Sequence, residues 1–350
     1  MSDSTSHNPE ALRVFVSRRL PSRGLDFLAK SGVEVVVGQS DEERGLGRQA
    51  LLDGVASCQV LMPLLTETVD EALLSHNPDL RGVAQMAVGY DNVDVEAATR
   101  LGIPVSNTPG ILTEATADFT WALLMAVARR VPEAHAYTAA GRFKIWGPNL
   151  LLGADVGPGP DGQPRTLGIV GYGRIGEAVA RRAQGFGMRV LANARNRERV
   201  EQDAKVTWAS LDQILEESDF ICLHPPLTAE TRHLIGPAEL RRMKQGAYLI
   251  NVARGPVVDE AALVNALRDG DIAGAALDVF EREPELEPGL AELDNVVLAP
   301  HIASATHETR SQMSFMAAQN AWAQLRGEAA PHVVNPDVYA TEAFRCRQRG

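Results

Sequence analysis

Residues Thr166 to Arg181 read Thr-Leu-Gly-Ile-Val-Gly-Tyr-Gly-Arg-Ile-Gly-Glu-Ala-Val-Ala-Arg, and this run constrains the fold more than any other. Its first half, Leu167–Val170, has the β-branched texture of a buried strand. From Ile175 onward the apolar positions Val179 and Ala183 recur at helical spacing. Between the two lie Gly171, Gly173 and Gly176 in the order G-x-G-x-x-G. The chain holds 30 glycines, so the bare spacing arises by chance easily; the strand before it and the helix after it give it meaning. The first glycine permits a tight turn, the second lets backbone approach a pyrophosphate, and the third lets helix and strand pack closely. The helix start, with Arg174 and Ile175, offers unpaired N–H groups and a positive dipole end to phosphate. The run therefore predicts a strand–loop–helix unit that binds a dinucleotide.

The residues some 20 positions further on discriminate between dinucleotides. The second strand ends Val190-Leu-Ala-Asn-Ala-Arg-Asn-Arg197, and the first acidic residue is Glu198. No carboxylate is placed to hold the ribose hydroxyls. Asn193, Arg195 and Arg197 stand there instead, and a guanidinium suits a 2′-phosphate. NADP(H) is the expected cofactor, with NAD(H) possible; the plainer alternative leaves the arginines as solvated loop residues.

The same alternation of strand and helix extends along most of the chain. Arg13–Ser17, Val33–Val37, Val60–Met62 and Val83–Met86 read as strands, with Ser22–Lys30 and Thr68–Leu74 helical between some of them. Leu112–Val131 reads as a long helix, with Pro132 just past it and a second helical stretch to Ala140. An irregular Gly/Pro loop at 153–164 follows, and then six more strands: Leu167–Val170, Arg189–Ala192, Phe220–Leu223, Tyr248–Asn251, Ala275–Val279 and Val296–Leu298. A last helix covers about Thr306–Arg326. Alternation of this kind means βαβ units and parallel sheets, and 350 residues suggest two domains.

Composition excludes several classes of partner. Lys plus Arg is 34 against 45 Asp plus Glu, a net charge of −11, which opposes sequence-independent nucleic-acid binding. The longest purely apolar stretch, Trp121–Ala128, is too short for a bilayer span, and no export signal precedes the first strand, so no membrane partner is expected. Cys58, Cys222 and Cys346 lie too far apart in sequence for a zinc motif, and no metal site is expected. An odd cysteine count without a disulfide framework suits a cytoplasmic protein. Residues 1–10 and the basic tail from Arg345 to Gly350 are expected to fray.

From Val83 onward the chain resembles the D-isomer-specific 2-hydroxyacid dehydrogenases, in particular their glyoxylate/hydroxypyruvate reductase branch. The stretches that carry the resemblance are Ala87-Val-Gly-Tyr-Asp-Asn-Val-Asp94, Thr116-Ala-Asp118, the glycine loop, Pro226-Leu-Thr228, Ile250-Asn-Val-Ala-Arg-Gly255, Leu277-Asp-Val-Phe-Glu-Arg-Glu-Pro284 and Pro300-His-Ile-Ala-Ser-Ala-Thr-His-Glu-Thr-Arg310. The fold this implies is α/β with two doubly wound parallel sheets, a Rossmann cofactor domain inserted into a flavodoxin-like substrate domain. Residues 1–107 would form the first part of the substrate domain. Residues 108–300 would form the cofactor domain with dimerisation helices near its start, and 301–350 would return to the substrate domain.

The resemblance places the catalytic set on Arg254, Glu283 and His301. A 2-oxo acid needs its carboxylate held and its ketone polarised, which suits an Arg fork. Hydride delivery leaves an alkoxide to be protonated, a task for histidine, and a carboxylate partner orients that ring and favours its cation. Considered singly, Arg254 could be a surface charge, Glu283 a solvated member of an acidic loop, and His301 a buried structural residue. The resemblance further implies that the loop at Val88 and Gly89 binds the substrate carboxylate through backbone amides, and that Ser304 touches substrate. It also adds Thr116, Pro225, Thr231, Val252 and Asp278 to the cofactor contacts. Asp278 would lie near the nicotinamide amide or else terminate its strand by hydrogen bonding; Trp146 would reach a neighbouring subunit's site or pack internally. Ala303, the doubled proline Pro225-Pro226 and the long loop at 153–164 depart from the usual pattern.

The expected function is reduction of small 2-oxo acids, glyoxylate and hydroxypyruvate, to glycolate and D-glycerate by an NADPH-using homodimer with His301 as proton donor. The alternatives are a dinucleotide-sensing, corepressor-like protein and a dehydrogenase of another 2-hydroxy acid, 3-phosphoglycerate, formate or phosphite. A pure sensor needs no acid–base pair, and a phosphorylated substrate needs basic groups near Val88 and Gly89, where only Arg81 and Arg100 are close in sequence.

Overall fold

The computed structural model describes residues 12–41 and 44–347. The chain forms two compact units, one within residues 1–112 and 306–350 and the other from 113 to 305. The expected crossings at 107/108 and 300/301 each fall five residues later. The helices Thr113–Ala128 and His307–Leu325 begin at these points, and each packs along its length on the sheet of one unit.

The first unit is built on strands β1 (Arg13–Arg18), β2 (Glu34–Gln39), β3 (Val60–Met62), β4 (Gly82–Ala84) and β5 (Val105–Ser106), all parallel in the order β2-β1-β3-β4-β5. This is the flavodoxin-like doubly wound order. Val14, Phe15 and Val16 are all buried because β1 is covered on both faces. Val14 and Val16 meet the helices Ser22–Lys30 and His307–Leu325, while Phe15 meets Leu51, Leu73 and Ala97 from helices on the other face. The helix Ser22–Lys30 falls on its predicted range. The helix expected over Thr68–Leu74 covers Glu71–Ser75 instead, because the Asp70 carboxylate accepts the Leu73 N–H at 2.9 Å and caps it there. The tail expected to fray from Arg345 carries a helix, Glu342–Arg347. Its Arg347 guanidinium donates to the carbonyls of Leu101 and Pro78, both at 2.6 Å. Residues 1–10 and 348–350, also expected to fray, lie outside the described residues.

The second unit holds β6 (Thr166–Val170), β7 (Arg189–Asn193), β8 (Thr207–Trp208), β9 (Phe220–Leu223), β10 (Tyr248–Asn251), β11 (Gly274–Leu277) and β12 (Val296–Leu298). They run parallel in the order β12-β11-β10-β9-β6-β7-β8. Strand order reverses between β6 and β9, the switch point at which doubly wound sheets bind dinucleotides. Ile169 and Cys222 face the helices Thr113–Ala128 and Arg174–Ala183; Val170, Ile221 and Leu223 face helices on the opposite side. The long helix expected over Leu112–Val131 ends earlier, as Thr113–Ala128, and the second helical stretch expected to Ala140 is Val131–Ala139. Arg130 between them takes a left-handed backbone with φ of 53°, which no continuous helix accommodates. Pro132 sits in the first turn of the second helix, where its missing N–H removes no bond.

Among the described residues no helix is long and apolar enough to cross a membrane, and no group of three or more His, Cys, Asp or Glu is placed to hold a metal ion.

In the first unit a Cβ at Gly24 would lie 2.3 Å from the Ser314 carbonyl oxygen, so the two helices on that face meet at backbone distance. Gly24→Ala is expected to destabilise the unit by about 2 kcal/mol or more through overpacking. Thermal denaturation reads this as a lowered midpoint, and an unchanged midpoint would show that the helices separate without cost.

Candidate active site

The glycine loop leaves β6 at the switch point, and its three glycines meet three different constraints. Gly171 has φ of 97°, and a Cβ there would sit 2.6 Å from the backbone of His224 and Pro225 beyond β9. Gly173 faces open space and begins the helix Arg174–Ala183 with no side-chain cap. A Cβ at Gly176 would approach the Gly171 oxygen to 2.5 Å. The tight turn, the open approach and the close helix packing fit a bound pyrophosphate. Asn193, at the end of β7, fixes the loop by accepting the N–H groups of Gly171 and Tyr172 on its carbonyl at 3.0 and 3.2 Å. Next to Gly171, both ring nitrogens of His224 are buried with no hydrogen-bond partner. Burial holds that imidazole neutral by pushing its pKa down to about 3. Uncompensated buried polar atoms are costly, and the main chain of this residue is the one that a Cβ at Gly171 would strike.

The other predicted cofactor residues differ in how they are held. Arg174 is exposed, Ile175 is half-buried, and Pro225, Val252 and Thr116 are buried. Thr231 is occupied within its loop, its hydroxyl donating to the Pro226 carbonyl and accepting the Thr228 N–H. At the end of β7, the Asn193 side-chain amide donates to the Ala209 carbonyl at 2.9 Å. Arg197 pairs with Glu201 at 2.6 Å and lies 4.5 Å over the Trp208 ring. Arg195 is exposed, and among the described residues its side chain makes no hydrogen bond or ion pair. The two arginines that look equivalent in sequence are therefore not equivalent in the fold.

Arg254, Glu283 and His301 stand on the loops that follow β10, β11 and β12. Asn251 braces the first loop, donating to the Arg254 carbonyl and accepting the Ala253 N–H, both at 3.0 Å. A Cβ at Gly255 would fall 1.8 Å from the Phe280 carbonyl carbon, so only glycine allows the first two loops to touch. Three residues past Phe280, the Glu283 carboxylate accepts the Phe280 N–H on Oε1 at 3.0 Å and meets His301 Nδ1 with Oε2 at 2.9 Å. Burial raises the Glu283 pKa, but the His301 bond and charge, the Phe280 N–H and the Arg254 charge outweigh it and hold the carboxyl below its ordinary range. Glu283 is thus not a solvated loop acid, and His301, with its side chain 32% exposed, is not a buried structural residue.

His301 adopts φ of 55°, an uncommon conformation that clusters at functional sites. Buried Asp278 imposes it by accepting the Ile302 and Ala303 N–H groups, one on each carboxylate oxygen, at 2.7 and 2.8 Å. Asp278 thus ties the end of β11 to the loop that carries His301. Ser304 follows half-buried in the same loop, and in the first unit Val88 and Gly89 lie half-buried past β4. Trp146 is 75% exposed and Ile145 81%, so internal packing is not the role of that tryptophan.

Sequence reasoning missed a second histidine–carboxylate cluster behind the first. His233 Nε2 lies 2.6 Å from Glu281 Oε1. The Glu281 N–H donates at 2.8 Å to Glu260, which is fully buried at the start of a helix. Burial, reinforced by the charges of Glu281 and Glu287, pushes the Glu260 carboxyl up to about 7, against the opposing Glu281 N–H and Arg282. The only signal in the sequence was the density of acids at 281–287.

Residues 121–303 match the family profile of the D-isomer specific 2-hydroxyacid dehydrogenase NAD binding domain. A glyoxylate reductase of Korarchaeum cryptofilum is 52% identical over 329 residues, covering 93% of this chain and 96% of that protein. Among solved structures, a protein of Thermus thermophilus superposes with a TM-score of 0.85 at 45% identity, covering 92% of this chain and 100% of that one. An NADPH-dependent glyoxylate/hydroxypyruvate reductase of Sinorhizobium meliloti, in complex with NADP and malonate, reaches 0.79 at 33% identity, covering 93% and 97%. A switch-point dinucleotide loop beside an Arg, Glu and His on successive strand ends defines an oxidoreductase of the doubly wound class. The chain belongs to the D-isomer-specific 2-hydroxyacid dehydrogenase family; it is an NAD(P)-dependent D-2-hydroxyacid dehydrogenase.

Glu260 yields a pH prediction. A carboxyl whose folded pKa lies above its unfolded one favours folding while protonated, and this contribution is lost as pH rises from the unfolded value through about 7. Glu260→Gln keeps an oxygen for the Glu281 N–H but cannot ionise. The variant is expected to melt close to wild type at pH 5 and several degrees above it at pH 8; equal midpoints at both would remove the buried charge from the account.

Proposed function

We propose that this chain is an NADPH-preferring reductase of small 2-oxo acids, with glyoxylate and hydroxypyruvate as substrates and glycolate and D-glycerate as products. The observation that carries the reading is the His301–Glu283 pair at 2.9 Å, with the Arg254 charge acting on the same carboxylate. The glyoxylate reductase relatives named above support the substrate class.

A bound nicotinamide dinucleotide supplies the hydride; the chain supplies the rest. Arg254 holds the substrate carboxylate and polarises the ketone; the Val88 and Gly89 amides are the carboxylate donors that the family resemblance implies. As negative charge develops on the carbonyl oxygen, His301 delivers a proton to it. Glu283 engages Nδ1, which leaves Nε2 on the opposite edge of the ring as the donating atom. Glu283 stays ionised in this role because its pKa is held low. A phosphorylated substrate finds little support: Arg81 donates to the Leu325 carbonyl and Arg100 pairs with Glu71. The exposed apolar arm at Phe143, Ile145, Trp146 and Leu152 supports a homodimer that covers it, and three free cysteines suit the cytoplasm.

Steady-state oxidation of NADPH and NADH against a panel of 2-oxo acids tests the assignment, and absence of turnover with both glyoxylate and hydroxypyruvate would overturn it. In the same assay His301→Ala is expected to lose at least about a hundredfold in turnover while NADPH binding, followed by fluorescence, is unchanged. Undiminished turnover would sink the proton-donor role.

Cofactor preference is the finer part of the proposal and rests on Arg195. Its replacement by Ala is expected to raise the KM for NADPH about tenfold and leave that for NADH nearly unaltered. Arg197→Ala is expected to do less, since its guanidinium is shared with Glu201 and Trp208. An equal effect of Arg195→Ala on both cofactors refutes the phosphate contact.

A further inference from the structure

Three successive peptides of the loop after β4 have their carbonyls tied down. The Ala87 carbonyl accepts the Thr108 N–H at 2.8 Å. The Val88 carbonyl accepts the Asn107 side-chain amide at 2.8 Å, and the Gly89 carbonyl accepts the Gln85 side-chain amide at 2.7 Å. These peptides are trans, so each carbonyl points opposite to the N–H of the next residue. Tying Ala87, Val88 and Gly89 oxygens therefore aims the Val88, Gly89 and Tyr90 N–H groups away from the tethers. None of those three N–H groups donates to a protein group among the described residues. Successive N–H groups left without a protein partner are available to an anion that reaches this loop.

The Gln85 tether is itself fixed. Gln85 is fully buried, and a side-chain amide could present oxygen or nitrogen to Gly89. Asn92 decides between them through a reciprocal pair, in which Gln85 Nε2 donates to Asn92 Oδ1 at 2.7 Å and Asn92 Nδ2 donates to Gln85 Oε1 at 3.2 Å. Asn92 cannot flip either, because Nδ2 also donates to the Leu64 and Glu67 carbonyls at 3.0 and 2.8 Å. The orientation runs from main-chain carbonyls through Asn92 and Gln85 to the Gly89–Tyr90 peptide.

We infer that Gln85 and Asn92 are positioning residues for the substrate carboxylate, and that their locked amide pair recruits the Tyr90 N–H as a further donor beside those of Val88 and Gly89. The inference rests on the reading that this loop receives the carboxylate. Neither side chain touches substrate; both act by holding one peptide plane. The buried amides thereby set how strongly a small 2-oxo acid is held, apart from the hydride and proton steps of the second unit.

The test uses oxamate, an unreactive mimic of a 2-oxo acid, with the full-length protein and NADPH. In ¹⁵N-labelled wild type the Gly89 and Tyr90 amide resonances are expected to move downfield as oxamate binds. Gln85→Met keeps the side-chain length but has no donor. It is expected to raise the oxamate Kd and the KM for the 2-oxo acid about tenfold, lower kcat less than about threefold, leave the Kd for NADPH unchanged, and abolish the Tyr90 shift. Should that variant fail to fold, Asn92→Ala at the half-buried end of the pair is expected to give the same separation of KM from kcat. Wild-type oxamate affinity in a folded variant overturns the positioning role, and a Tyr90 amide that ignores oxamate while Gly89 responds overturns the further donor. If neither wild-type amide responds, the carboxylate reading of the loop fails instead.

Discussion

The second unit's chemistry depends on the contact between the backbone at Gly255 and the carbonyl of Phe280. Any side chain at 255 would place a carbon 1.8 Å from the Phe280 carbonyl carbon, so the loops beyond β10 and β11 meet only because one of them has no Cβ. Arg254 and Glu283 flank that contact. The Phe280 N–H fixes one Glu283 oxygen, and the other is left to meet His301. A guanidinium, a carboxylate and an imidazole from three strand ends are thus assembled by main-chain geometry, and little of the arrangement is left to side-chain freedom.

The carboxylates around that contact are stabilised in three ways. Glu283 has a partner that becomes cationic and an N–H donor, and it stays ionised. Asp278 receives two main-chain N–H groups on the segment that holds His301 in its unusual conformation, yet burial still raises its pKa. Glu260 has one N–H and acidic neighbours, and its charge is the least supported. The order follows the number and charge of donors, as expected when burial penalises each carboxylate and only local bonds offset it. The acid that meets His301 is the one whose pKa is held low, while burial raises those of its two companions.

The glycine loop was legible because its requirements are local: a turn, an approach and a helix contact within six residues. The doubly wound order was legible from the alternation of strands and helices. Arg254, Glu283 and His301 were legible only through the order of the family motifs, since nothing in the acidic loop distinguishes Glu283 from Glu281. Their difference comes from where each carboxylate ends up, one against His301 and the other against His233. Strands β5 and β8 have two residues each, too few to display a period, and the end of the first long helix at Ala128 has no Gly or Pro to mark it. The bonds from Asp278 to Ile302 and from Asn107 to Val88 span 24 and 19 residues, beyond the reach of a local pattern.

The same separation of local from non-local information bears on the proposed NADPH preference. In sequence, Arg195 and Arg197 share one short loop and one charge. In the fold, Arg197 is already balanced by Glu201 and stacked on Trp208, so moving it onto a phosphate would forfeit those interactions. Among the described residues Arg195 makes no direct ion pair, and its charge acts only at a distance on Glu230. Of two exposed guanidiniums, Arg195 gains more from an arriving dianion, because it has only the charge of Glu230 nearby and no direct ion pair or ring contact to give up. An acidic chain of net charge −11 can therefore favour a more anionic cofactor without a basic surface, provided that one cation past β7 is held less tightly than its neighbour, which Glu201 neutralises.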